Sequence, residues 1–195
     1  RGFGPGDRPV LEHDPSAEPE FRARLERAAS ASSGDKKAVQ REAKAFLTDR
    51  VRKAFQLAPA AAFAGLAESD LEVMRRLGAQ PQTCAAYFVA NRPGDVLPSD
   101  LRAAQSDRVV DVVEAAFMQP TLPSPFREEQ LAAWIAAAYV TLGFPSDDLK
   151  KLDNLGVLDD REVCRLGTRL ITAVVSLNKE RAGEVYRWMK LSTLE

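Results

Sequence analysis

Apolar residues recur along this chain every three or four positions, the spacing that places side chains on one face of a helix. Val39, Ala43 and Phe46 illustrate the pattern within the stretch 35–57. Valine and isoleucine follow the same spacing and do not alternate with polar residues, as they would in half-buried strands. The frequent alanine has the highest helix propensity of all residues. The pattern therefore predicts an all-α protein.

Capping and helix-breaking residues divide the chain into eight or nine helices joined by short loops. Asp35, Ser69, Ser99 and Asp159 stand where N-caps are expected, and Pro59 interrupts the pattern between two apolar segments. Asn178 marks a kink or a new cap. The predicted helices are 19–32, 35–57, 60–67, 69–77, 82–90, 99–118, 126–142, 146–152 and 159–177, with a last segment beyond Asn178.

The segment 126–142 has charged residues only at its start and then reads LAAWIAAAYVTL, which is apolar on every side. A helix with that pattern is typical of a buried position. The apolar run is shorter than the roughly 20 residues that span a bilayer. We therefore predict a single compact, irregular bundle packed around a central apolar helix at 126–142.

The first fifteen residues differ from the rest of the chain in composition. Residues 1–15 hold six glycines and prolines and read as an arm or linker, and residues 16–195 form the predicted helical domain. An arm of this kind would tether the domain to an anchor upstream of Arg1.

The formal net charge is −1, which argues against a general nucleic-acid binder because such proteins need a basic excess. The charge is nevertheless uneven, with a basic excess in residues 20–53 and an acidic excess in residues 94–130. Lys37, Arg41 and Lys44 share one helix face and form a candidate docking face for an acidic protein partner. The alternative is a solvated face that balances the acidic half of the molecule.

Familiar catalytic and cofactor motifs are absent from the sequence. It contains no glycine-rich phosphate loop, no serine nucleophile elbow and no zinc-binding spacing, and its single histidine, His13, lies in the arm. We expect no cofactor and no metal. Acidic residues that could act in pairs occur at predicted helix starts, where capping and the helix dipole also favour them. These are Glu128/Glu129, Asp147/Asp148 and Asp159/Asp160, and Glu114 is the one acid among apolar residues.

Cys84 and Cys164 are the chain's two cysteines, and both fall near predicted helix starts. A disulfide between them would close a loop of about 80 residues and add roughly 4 kcal/mol by the chain-entropy estimate. Disulfides persist mainly in exported proteins. The alternative is two separate buried thiols in a cytosolic protein.

Three functional hypotheses follow. The first is a non-enzymatic helical protein-binding domain, the soluble part of an exported or envelope-anchored bacterial protein in the periplasm, for example an inhibitor or immunity-type partner of a secreted effector. The second is a carboxylate-dependent helical hydrolase that acts on an envelope polymer. The third is a cytosolic adaptor or regulatory domain with two reduced cysteines.

Overall fold

The computed structural model describes residues 17–90, 97–121 and 126–193. Over these residues the chain forms nine α-helices, one short 3₁₀ helix at Leu155–Val157 and no strand, which confirms the predicted all-α class. The predicted arm at 1–15, with His13, lies outside the described residues. The helices are α1 (Ala17–Ala31), α2 (Lys36–Leu57), α3 (Ala60–Leu77), α4 (Pro81–Ala90), α5 (Ser99–Met118), α6 (Glu128–Thr141), α7 (Asp147–Leu152), α8 (Asp160–Ser176) and α9 (Lys179–Ser192).

Side-chain caps begin three of these helices. Asp35 accepts a hydrogen bond from the Lys37 backbone N–H at 2.9 Å and thereby caps α2. Asp159 caps α8 in the same way, and Asn178 caps α9 by accepting from the Arg181 backbone N–H at 3.0 Å. Each cap satisfies one of the amide donors that a helix start leaves without an intrahelical partner. Asn178 therefore begins a new helix.

The two helices predicted at 60–67 and 69–77 are one continuous helix, α3. Ser69 does not cap a second helix. Its hydroxyl instead donates to the Gln105 side-chain oxygen on α5 at 3.0 Å. A tertiary partner of this kind lets serine remain inside a helix, because its hydroxyl no longer competes for the local backbone.

The main hydrophobic core surrounds α3, which packs against α4, α5, α8 and α9. Four of the core side chains are at most 1 % exposed: Phe63 and Leu66 on α3, Val112 on α5 and Val174 on α8. A smaller, separate core joins α1 to the first half of α2 and consists of Ala17, Phe21, Phe46 and Leu47. The first half of α2, which carries Lys37, Arg41 and Lys44, therefore packs with α1 as a hairpin beside the main bundle.

The segment 126–142 does not occupy the central position predicted for it. Leu131, Ile135 and Tyr139 on α6 face the core, but the opposite face is exposed, and Val140 is 75 % exposed. Four alanines lie on that outer face, and their side chains are too small for exposure to weaken folding much. An apolar composition therefore did not fix the burial of this helix, and α3 takes the central place. None of the described helices is both long and apolar enough to cross a membrane.

A disulfide joins Cys84 on α4 to Cys164 on α8, and their Cα atoms lie 5.3 Å apart. Gly167 lies almost one turn after Cys164 on α8. A Cβ atom added there would come within 2.6 Å of the Phe88 ring on α4, so the two helices are in close contact beside the bridge. The structure therefore has the predicted disulfide and not two separate buried thiols.

Helix α9 approaches the start of α3 at Gly183. A Cβ atom at this position would lie 1.8 Å from the Ala60 carbonyl oxygen, so only glycine allows the two backbones to come this close. One turn later, the buried Arg187 guanidinium donates to the Ala58 carbonyl oxygen at 3.1 Å and to Glu184 at 2.7 Å. These contacts fix α9 against the junction between α2 and α3.

Replacement of Gly183 by alanine is expected to destabilise the fold by about 2 kcal/mol or more, because the new methyl group meets backbone atoms. Gly65→Ala on α3 is the matched control, since a Cβ atom there has no atom within 4 Å. The control should be neutral, or stabilised by up to about 1 kcal/mol through alanine's higher helix propensity. Urea unfolding of the two variants measures the difference. Equal midpoints would contradict the close contact between α3 and α9.

Candidate functional site

A cavity of about 540 Å³ lies among α3, α4, α6, α7, α8 and α9, and we call it the Asp70 cavity. Its volume falls in the range of small-molecule sites in proteins. Apolar side chains form most of its wall, including Met74, Phe88, Ile135, Leu149, Leu170 and Trp188. Three polar side chains of the wall, Tyr87, Tyr186 and Lys190, converge on Asp70. An apolar cavity with a few convergent polar groups is the usual form of a ligand site.

Asp70 lies on α3 and is only 3 % exposed. Its Oδ1 accepts hydrogen bonds from the Tyr87 hydroxyl on α4 and from the Gln105 side-chain amide on α5. Its Oδ2 accepts from the Tyr186 hydroxyl on α9 and pairs with the Lys190 ammonium at 2.8 Å. Four donors from three other helices therefore meet one buried carboxylate.

Helix α9 contributes two of these donors from consecutive turns. Tyr186 and Lys190 are four residues apart, so both side chains lie on the same face of the helix. The Lys190 ammonium also lies 5.0 Å from the centroid of the Tyr186 ring, which is a cation–π distance. The ammonium is therefore held both by the carboxylate and by the ring.

The phenol of Tyr87 is held in its neutral form. Burial raises the pKa of Tyr87 well above its ordinary value, and the negative charge of Asp70 and the hydrogen bond to it raise the pKa further. Tyr87 consequently keeps its proton at neutral pH and donates it to Asp70.

A second ionic cluster fixes another wall of the Asp70 cavity. Asp148, at the start of α7, is 3 % exposed and accepts two hydrogen bonds from Arg165 on α8 at 3.0 and 3.1 Å. Arg169 also donates to Asp148, at 2.5 Å. Glu162 pairs with Arg165 at 2.6 Å and with Lys151 on α7 at 3.0 Å. The cluster therefore clamps α7 to α8, and α7 carries Leu149 and Leu152 into the cavity wall.

Both acids of this cluster have lowered pKa values. Hydrogen bonds from Arg165 are the largest cause for each, and they hold the pKa of Asp148 below its ordinary value and that of Glu162 at about 2. The unfolded chain takes up these protons at the ordinary pKa values, near 4. The ion pairs therefore stabilise the fold fully above those ordinary values, and the stabilisation is lost as pH falls towards 2.

Glu162→Gln should reduce this pH dependence. We expect the variant to be less stable at neutral pH and to lose about 1 kcal/mol less than the wild type between about pH 5 and pH 2, because the carboxyl that titrates is gone. Glu72→Gln is the control, because Glu72 forms an exposed pair with Arg76 on one helix. Urea unfolding across this pH range measures both variants. Parallel curves for Glu162→Gln and the wild type would contradict the lowered pKa of Glu162.

The acid pairs considered in the sequence do not converge on one another. Both members of Glu128/Glu129 and of Asp159/Asp160 are exposed at helix starts, as is Asp147, and Glu114 is half-buried on α5. Asp148 is buried, but two arginines already engage it. Among the described residues, no three metal-ligating side chains come together to form a possible metal site.

Lys37, Arg41 and Lys44 are all exposed on α2, as an accessible docking face requires. Nearby acids belong to a separate network, because Arg24 pairs with Glu20 and Glu42 between the two helices of the hairpin. No contact in the structure tests whether a partner binds the three basic residues, so this role stays a prediction.

The sequence alone did not identify the residues of the Asp70 cavity. Asp70 stands in the polar string AESD and resembles an exposed helix residue, and its donors are distant in sequence. The structure buries Tyr186, and Trp188 is half-buried in the cavity wall. The pairing of Tyr186 with Lys190 at four-residue spacing was the available signal.

A second cavity, of about 430 Å³, lies beside α3, α5 and the loop before α9. Its four charged lining residues, Glu68, Arg108, Asp111 and Lys179, are all exposed. Arg108 and Asp111 pair with each other at 3.0 Å. A surface pair of this kind contributes little energy. The Asp70 cavity is therefore the better candidate, because Asp70, Tyr87 and Tyr186 in its wall are buried.

No protein-family model, curated protein or solved structure matches the chain. Fold and site define its class as an all-α protein with an internal disulfide and a mainly apolar cavity beside a buried polar cluster.

Proposed function

We propose that this chain is a non-enzymatic binding domain and that the Asp70 cavity is its ligand site. The observation that carries the proposal is the combination of a large apolar wall with a polar cluster that is already hydrogen-bonded. Such a site holds a small molecule with an apolar body and a polar group. Its residues are fixed before binding, which lowers the entropy lost when the ligand is bound.

The bonding of Asp70 favours binding over catalysis. A carboxylate offers about four lone-pair positions, and four donors occupy those of Asp70. A general base needs an acceptor within reach of the substrate proton. The carboxylate-dependent hydrolase therefore has less support than a binding domain, because the most buried acid of the cavity is fully engaged.

We further propose that the protein works in an oxidising compartment outside the cytoplasm, such as the periplasm. The support is the disulfide between Cys84 and Cys164, since glutathione and thioredoxin keep cytosolic thiols reduced. A protein partner for this domain, recognised through Lys37, Arg41 and Lys44, remains a second interaction to be tested. The cytosolic adaptor has less support, because it assumed two reduced thiols.

Protein isolated from its native source without reductant is expected to show no thiol that reacts with maleimide after unfolding. Reduction should expose two thiols, and mass spectrometry measures the label. Replacing both cysteines by alanine should destabilise the fold by about 4 kcal/mol, because the bridge closes a loop with a sequence separation of 80. Two reactive thiols in the unreduced native protein would contradict the proposed compartment.

The cavity itself is tested by filling it. Ala132 and Ala133 are adjacent and both exposed on α6, but only Ala132 lines the Asp70 cavity. Ala132→Phe should weaken the binding of N-phenyl-1-naphthylamine, a neutral fluorescent probe, by about tenfold or more, whereas Ala133→Phe should leave it unchanged. Fluorescence titration measures the affinity, and a thermal melt checks that both variants fold. Equal binding by the two variants, or no binding by the wild type, would overturn the proposed site.

A further inference from the structure

We infer that the Asp70 cavity selects amphipathic amines, that is, ligands with a protonated amine on an apolar body. This inference rests on the proposed function and adds the chemical class of the ligand. The hydrogen-bond direction of the polar wall and its charge both support it.

The hydroxyl groups of the cavity wall donate their protons to acceptors within the protein. Tyr87 and Tyr186 both donate to Asp70, so their phenol oxygens can only accept from a ligand. The Ser192 hydroxyl donates to the Met189 carbonyl oxygen at 2.9 Å and is an acceptor for the same reason. Asp153, which also lines the cavity, carries a carboxylate that accepts only. The polar wall therefore suits a ligand group that donates.

The charges of the wall favour a cation. Two acids, Asp70 and Asp153, and one base, Lys190, line the cavity, and their formal charges sum to −1. The Lys190 ammonium pairs with Asp70 at 2.8 Å, so these two charges compensate each other and the excess negative charge of the wall is that of Asp153. A carboxylate ligand would lose its hydration and face mainly acceptors, which is unfavourable.

Aromatic rings add to the attraction for a cation. Tyr87, Phe88, Tyr186 and Trp188 all line the cavity. The position of the Lys190 ammonium 5.0 Å from the Tyr186 centroid shows that an amine is accommodated against a ring of this wall. Cation–π attraction of this kind is the usual basis for recognising substituted ammonium groups.

The inference is tested with three ligands that share one eight-carbon chain: octylamine, octanol and octanoate. Each displaces N-phenyl-1-naphthylamine from the wild-type protein at neutral pH, below the concentration at which it forms micelles. We expect octylamine, protonated at this pH, to bind about tenfold more tightly than octanoate, with octanol between them. Equal affinities, or tighter binding of octanoate, would overturn the amine preference and leave the proposed site intact. Failure of the probe to bind would overturn both.

A matched pair of variants locates the preference within the cavity. Asp153→Asn removes a carboxylate of the cavity wall and should weaken octylamine binding by about threefold or more, with octanol unchanged. Asp147→Asn removes an exposed carboxylate from α7 that does not line the cavity, and it should change neither affinity. An unchanged octylamine affinity in Asp153→Asn, or an equal loss of octanol binding, would overturn the role of the wall charge.

Discussion

The buried carboxylate of Asp70 constrains how α3 packs with α4, α5 and α9. An ionised group taken out of water is strongly unfavourable unless it is paired and hydrogen-bonded. Asp70 meets that requirement only when α4, α5 and α9 all stand in their observed positions, because each supplies a donor. Removing one partner of such a pair typically costs about 3–5 kcal/mol, whereas the pair itself contributes little net stability. The hydrogen bonds and the ion pair of Asp70 thus specify how these helices pack more than they add to the free energy of unfolding.

The hydrogen bonds to Asp70 also determine which polar groups the cavity wall presents. Tyr87 and Tyr186 donate their hydroxyl protons to Asp70. The hydrogen bonds that satisfy the carboxylate therefore also leave the cavity wall poor in donors. If either hydroxyl group donated into the cavity instead, Asp70 would lose a hydrogen-bond donor while it remained buried. The proposed chemistry of the site and the packing of the fold are therefore linked through one residue, and the proposed ligand preference is easier to change at the exposed Asp153 than at Asp70.

Periodicity and capping predicted the helices well, because both are local properties of the chain. Asp35 and Asp159 cap the helices that the sequence assigned to them. Burial was predicted less well: α6 is apolar beyond its first turn yet half exposed, and its outer face carries four small alanines. The polar cluster could not be predicted, because Asp70 meets Tyr87, Gln105 and Tyr186 across separations of 17, 35 and 116 residues. The cysteines were an intermediate case, since their number and position suggested a bridge that only the packing of α4 on α8 could decide.

Three separate restraints hold the walls of the cavity, and none of them uses the ligand-facing groups. The disulfide ties α4 to α8, the Asp148 cluster ties α7 to α8, and the close approach at Gly183 seats α9 on α3. Each restraint limits a motion that would otherwise have to be stopped when a ligand binds, and a preorganised site loses less entropy on binding. Because these restraints lie outside the polar wall, residues such as Asp153 can change without loosening the cavity. Apart from Asp70, which belongs to both groups, the residues that hold the cavity walls in place are thus different from those that we propose to select its occupant.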